Sequence, residues 1–62
     1  MARTAQFEVY KDHKGEFRWR MRATNGEEIA DSNEGYKDKD DCLRGIELVR
    51  REAPGATIED KT

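Results

Sequence analysis

Arg18, Arg20 and Arg22 stand at alternate positions of the segment Phe17-Arg18-Trp19-Arg20-Met21-Arg22. Alternate residues of an extended chain share a face, so this spacing puts three guanidinium groups on one side of a strand and Phe17, Trp19 and Met21 on the other. Guanidinium is a planar, permanently charged donor that suits phosphate oxygens. Tyr10 has the same parity in the preceding extended segment, and a ring beside guanidinium groups on an open sheet is able to stack a base. The pattern therefore offers a binding face for nucleic acid or a phosphate-bearing ligand, with Tyr10, Arg18, Arg20 and Arg22 as its residues. The competing reading is electrostatic. Any hairpin register that brings Val9 and Trp19 to one face also sets Glu8 beside the stripe, where cross-strand ion pairs would occupy the arginines.

The other reactive residue types assemble no catalytic constellation. Cys42 falls in the first turn of a candidate helix, where a thiol pKa is lowered, yet its spacing from Ile46 marks it as a core residue and its neighbours are acidic. His13 lies in a candidate turn with no orienting group in sight. Ser32, His13 and an aspartate form a triad only on paper, because no nucleophile elbow or glycine-rich oxyanion segment accompanies them. Glu27 and Glu28 are adjacent in a strand and point to opposite faces. Gly35 precedes a helix start, but Asp38, Asp40 and Asp41 would repel an anion there. With one cysteine and one histidine in the chain, neither an intrachain disulfide nor a Cys/His zinc site can form. No metal or other cofactor is expected, and no enzyme.

The elements that carry these residues follow from periodicity. Residues 6–11 alternate with Phe7 and Val9 inward, as a half-buried strand requires, and Asp12-His13-Lys14-Gly15 supplies a turn of three to five loop residues. Residues 16–24 alternate throughout and give the clearest strand. Asn25-Gly26 signals a two-residue hairpin loop into a third strand over residues 28–32. That register would place Ile29 on the arginine face, so the loop is longer or bulged, or something else covers Ile29. Asp38 and Asp41 are spaced as an N-cap and an acidic third residue. The helix over residues 39–53 carries Cys42, Leu43, Ile46, Val49 and Ala53 on one stripe, with Gly45 allowing a close approach to the sheet, and Pro54-Gly55 stops it. A short final strand is expected around Ile58, within residues 56–60. The fold class is α+β, a βββαβ unit with one helix on one face of an antiparallel sheet, spanning residues 5–60 as a single domain. Residues 1–4 and 61–62 should fray.

At 62 residues, a chain buries only about 60% of its unfolded surface. The candidate core of Phe7, Val9, Phe17, Trp19, Met21, Ile29, Leu43, Ile46, Val49 and Ile58 leaves little surplus over backbone ordering at about 1–2 kcal/mol per residue. Disulfides and zinc being excluded, association with another chain is the remaining staple. Charge is abundant, 42% Asp, Glu, Lys and Arg, but it balances to a net −2, which excludes a bulk polycation. The lone cysteine and the lack of an apolar leader stretch predict a cytoplasmic protein. No apolar run approaches the ~20 residues of a membrane span, so no membrane partner is expected.

The combination Phe7-x-Val9-Tyr10-Lys11-Asp12-x-x-Gly15-Glu16-Phe17-Arg18-Trp19-Arg20, then Asn25-Gly26, Glu34-Gly35-Tyr36 and Cys42-x-x-Gly45-Ile46, resembles the YegP-like family of small proteins. The resemblance covers nearly the whole chain. It implies a β3-αβ unit that occurs in tandem or as two subunits sharing one sheet and exchanging C-terminal strands, and hence a homodimer for a chain holding one unit. It implies no activity and no ligand. Two function classes follow: a homodimeric, non-enzymatic interaction module, or a binder of nucleic acid or a phosphorylated ligand through the Arg/Tyr face.

Overall fold

The computed structural model describes residues 4–62. The expected fraying of residues 1–3 lies outside the described residues. Three antiparallel strands, β1 (Gln6–Lys11), β2 (Phe17–Arg22) and β3 (Glu28–Asp31), form a sheet in the order β1-β2-β3, followed by one helix, α1 (Lys39–Glu52), and a 3-10 turn, Ala53–Gly55. It is an α+β fold.

Both hairpins close in the same way. In the first, Asp12 N donates to Glu16 O (2.9 Å) and Gly15 N to Asp12 O (3.0 Å), so His13-Lys14-Gly15 is a three-residue loop. Gly15 takes φ +81°, which only glycine adopts at no steric cost. In the second, Ala23 N donates to Glu27 O (2.7 Å) and Gly26 N to Ala23 O (2.9 Å), with Gly26 at φ +90°. The loop is thus Thr24-Asn25-Gly26, one residue longer than the Asn25-Gly26 pair predicts. A turn followed by a left-handed glycine is the usual three-residue hairpin.

The conflict over Ile29 is resolved by a bulge. Met21 pairs with Ala30 and Arg22 with Glu28, so Ile29 is the extra residue between them. It remains 57% exposed. Beyond β3, Ser32 N donates to Trp19 O (2.9 Å), the chain reverses through Asn33 in the left-handed region (φ 59°), and Tyr36 returns to pair with Phe17 in both directions. Ser32 Oγ accepts from Trp19 N (3.3 Å) and donates to Glu34 O (2.9 Å), holding the break in the strand together.

Asp38 sits at the N-cap with extended backbone, but its side chain makes no capping bond; the capping box that the spacing suggests is absent. Asp40 and Asp41 in the first turn and Arg50 and Arg51 in the last still suit the helix dipole. The helix lies across the Trp19 face of the sheet. Trp19, Cys42 and Ile46 are buried, and Phe7, Val9, Phe17, Met21, Tyr36 and Val49 pack around them. Phe7 and Trp19 meet edge to face with ring centroids 5.5 Å apart. Gly45 permits this closeness: a Cβ there would stand 3.0 Å from the Tyr36 hydroxyl and 3.5 Å from Trp19 Nε1. Two members of the expected stripe, Leu43 and Ala53, lie off the core and are exposed.

The fourth strand is a correction. Residues 56–60 form no strand, and Ile58 is 97% exposed. The tail's hydrogen bonds stay local, Ala56 N to Ala53 O and Thr62 to the Asp60 carboxylate, because neither sheet edge of its own chain receives it. Ile58 therefore leaves the core list, and the single chain reads βββα. No helix among the described residues is long and apolar enough to cross a membrane.

Candidate ligand face of the sheet

Because β1 and β2 pair in register, Gln6 opposite Arg22, Glu8 opposite Arg20 and Tyr10 opposite Arg18, the face turned away from α1 interleaves two ladders. Glu8, Tyr10 and Asp12 alternate along one, and Arg18, Arg20 and Arg22 along the other. All four expected residues, Tyr10, Arg18, Arg20 and Arg22, are brought together here, each half-buried.

Every guanidinium already holds a carboxylate. Arg18 Nε donates to Asp12 Oδ2 at 2.7 Å, and Arg20 Nε and Arg22 Nε both donate to Glu8 Oε1, at 2.8 and 2.9 Å. Arg22 Nη1 also donates to Gly26 O at 2.9 Å. The Arg20 guanidinium stacks over the Tyr10 ring, 4.4 Å from its centroid, within cation–π range. On the far side of β2, Glu28 and Asp31 face Arg22 and Arg20. The three arginines thus stand among four carboxylates, Glu8, Asp12, Glu28 and Asp31.

The titration behaviour reflects these bonds. The Arg18 hydrogen bond, then the backbone N–H groups of Glu16 and Lys14, hold the Asp12 carboxyl down at about 2. Arg20 and then Arg22 lower Glu8, and the same partners raise Arg18 and Arg20. Asp12 is the hub: Oδ1 accepts from Lys14 N (2.9 Å) and Glu16 N (3.0 Å) while Oδ2 takes Arg18. One carboxylate thus fastens the hairpin turn to the stripe. The sequence reading named Glu8 as the answering acid and overlooked Asp12. The signal was present, since Asp12 continues the parity of Glu8 and Tyr10.

The remaining reactive residues are dispersed. Cys42 is fully buried, and burial pushes its thiol pKa up, the opposite of what a nucleophile needs. His13 is exposed in the first loop and Ser32 is engaged with the backbone. Among the described residues no three His, Cys, Asp or Glu side chains gather as metal ligands. Burial, then Glu34, raises the Tyr36 phenol. A second concavity escaped sequence reasoning altogether: a cavity of about 490 Å³ between the C-terminal end of α1 and the start of β1, lined by Phe7, Met21, Val49, Arg50, Ala53 and Pro54.

Residues 12–60 match the family model described as a domain of unknown function, DUF1508. A UPF0339 protein of Agrobacterium fabrum is 53% identical over 57 residues, covering 92% of this chain and 90% of the relative. Another, of Methanosarcina acetivorans, is 48% identical, covering 87% and 91%. The UPF0339 protein encoded 5′ of the ptx operon in Stutzerimonas stutzeri is 56% identical over 48 residues, but these make up 42% of its length. A solution NMR structure of a Haloferax volcanii protein superposes with a TM-score of 0.84 at 43% identity, covering 97% of this chain and 98% of that one. The chain belongs to the DUF1508/UPF0339 family, the same family that the YegP-like resemblance names.

Proposed function

We propose that the chain is a binding module without catalytic chemistry, acting in the cytoplasm as a homodimer whose copies share a sheet and exchange their C-terminal tails. The observation that carries this reading is Ile58, an isoleucine 97% exposed in a segment that belongs to no strand. Among the described residues only Trp19, Cys42 and Ile46 are buried, which is a small core for an independent domain. The Stutzerimonas relative, more than twice as long as the stretch matched, has room for a second unit within one chain, as a paired arrangement requires. Sedimentation at micromolar concentration should give a dimer, and the melting temperature should fall on dilution, since folding is then coupled to association. A monomer with a concentration-independent melt would refute the reading.

A nucleic acid or phosphorylated ligand on Tyr10, Arg18, Arg20 and Arg22 is the second reading, favoured by the Arg20–Tyr10 stack and by the concentration of three guanidinium groups on one face. Its difficulty is physical. A phosphate must displace Asp12 and Glu8 from bonds of 2.7–2.9 Å on a surface whose carboxylates outnumber its arginines.

A further inference from the structure

We infer that the wedge between the first hairpin and the start of α1 binds a small organic anion, its charged group held by Lys11 and Lys39 and its apolar body laid on Val9 and Phe17. This rests on the binding-module reading and names a ligand class for it. The pairing of charge along the chain points here. Arg18, Arg20, Arg22, Arg44, Arg50 and Arg51 each hold a carboxylate, and so does Lys61. Among the described residues, Lys11, Lys14, Lys37 and Lys39 hold none. Two of these four, Lys11 and Lys39, meet at one cavity of about 190 Å³, which Val9, Tyr10 and Phe17 complete.

The register explains the cavity. Lys11 pairs with Phe17 at the mouth of the first hairpin, and alternation puts both on the face that carries Val9 and Trp19. The helix begins at Lys39, so it covers Trp19 and leaves Val9 and Phe17 half-buried, an apolar floor beside two exposed ammonium groups. Without a carboxylate to hold, the Lys11 ammonium stands over the Phe17 ring, 5.1 Å from its centroid, a cation–π contact that leaves N–H donors for an anion. The nearby acids are engaged elsewhere. Asp38, Asp40 and Asp41 line a separate concavity with Lys39 and Arg44, Asp12 and Glu8 are bonded to the arginines of the opposite face, and Glu16 lies against Gly35. No carboxylate lines the cavity itself. Its volume is below the roughly 300–1,000 Å³ of pockets that take drug-sized ligands, which suits a single ring or short chain bearing one carboxylate or phosphate.

The test titrates the isotope-labelled full chain at low ionic strength with benzoate and phenyl phosphate, and with inorganic phosphate and benzyl alcohol as the bare anion and the neutral ring. Backbone amide shifts that saturate at Val9, Tyr10, Lys11, Phe17 and Lys39 are expected with benzoate, phenyl phosphate or both, and the tighter of the two identifies the charged group. Replacing both lysines, Lys11→Gln with Lys39→Gln, should weaken binding about tenfold or more with an unchanged circular dichroism spectrum, because each removes a charged donor. Lys14→Gln, an exposed lysine of the neighbouring loop outside the cavity, should bind as the parent does. A parent without saturable shifts, shifts centred on Arg18, Arg20 and Arg22, or undiminished binding by the double variant overturns the site. Inorganic phosphate or benzyl alcohol binding as tightly as phenyl phosphate overturns the ligand class. Release of phenol from phenyl phosphate would instead overturn the non-catalytic reading on which the site rests, and the oligomeric state, read by sedimentation, is independent of all these outcomes.

Discussion

Trp19 is the most informative residue to cut, because its ring and its N–H make opposite contributions. The side chain is 6% exposed at the centre of the core, and its Nε1 is a buried donor that lies near the Tyr36 hydroxyl without completing a hydrogen bond of good geometry to it or to any other described residue. Trp19→Ala should lose about 3–5 kcal/mol. At roughly 0.05–0.15 kcal/mol per residue the whole domain holds about 3–9 kcal/mol, and with an unfolding entropy of about 2.1 cal/mol/K per residue the loss corresponds to roughly 25–40 °C in melting temperature. Trp19→Phe behaves differently. It removes two ring carbons, about 1.6 kcal/mol of burial at the rate of a methylene each, but it also removes the N–H, whose burial without a full hydrogen bond costs about 1–3 kcal/mol. The two nearly cancel, so Trp19→Phe should melt within about 8 °C of the parent while Trp19→Ala melts roughly 25–40 °C lower. Thermal melts followed by far-ultraviolet circular dichroism at one fixed protein concentration measure both. A phenylalanine variant as unstable as the alanine variant would show that the indole N–H is bonded, and an alanine variant close to the parent would show that the sheet's apolar face is not the core.

Asp12 titrates at about 2 when folded against an ordinary 3.8, so its contribution is present above pH 3.8 and disappears as pH falls through about 2. Asp12→Asn should melt lower than the parent at pH 7 and show a shallower decline between pH 4 and 2; equal acid profiles would remove Asp12 from its place as hub. Replacing Arg18, Arg20 and Arg22 together by glutamine should leave the helix signal in place, and the parent should bind short RNA or single-stranded DNA no better than this variant at any salt. Parent binding that weakens steeply with salt and vanishes in the variant would restore the phosphate-ligand reading of that face.

How much was legible in the sequence depends on the range of the interactions concerned. The alternation in β1 and β2 and the i, i+4 pair Cys42 and Ile46 are local signals, and they place the sheet, the helix and the shared face of Tyr10 with the arginines. The second hairpin shows where local signals stop. Asn25-Gly26 marks the turn, but whether the loop has two or three residues depends on how Glu28, Ile29 and Ala30 meet β2, and the bulge settles that through Met21 and Arg22. Asp38 likewise has the right residue type and position for a cap, yet its carboxylate makes no capping bond, because spacing fixes where a side chain begins and not where it points. The fourth strand failed for a different reason. A strand is a pairing, and residues 56–60 have strand character with no partner in their own chain.

The distribution of charge and apolar surface carries the functional argument one step further. A sheet face turned away from a helix is the usual place to look for a ligand, and three arginines on it attract attention for that reason. Here the face satisfies itself, since Asp12 and Glu8 take the guanidinium groups and Tyr10 takes the flat side of Arg20. A surface whose charges are already answered has little to gain from a new polar partner, because each new contact must replace an existing one. The unmet demand lies on the other side, where an apolar groove at the helix end and an exposed isoleucine in the tail each lose free energy to water until something covers them.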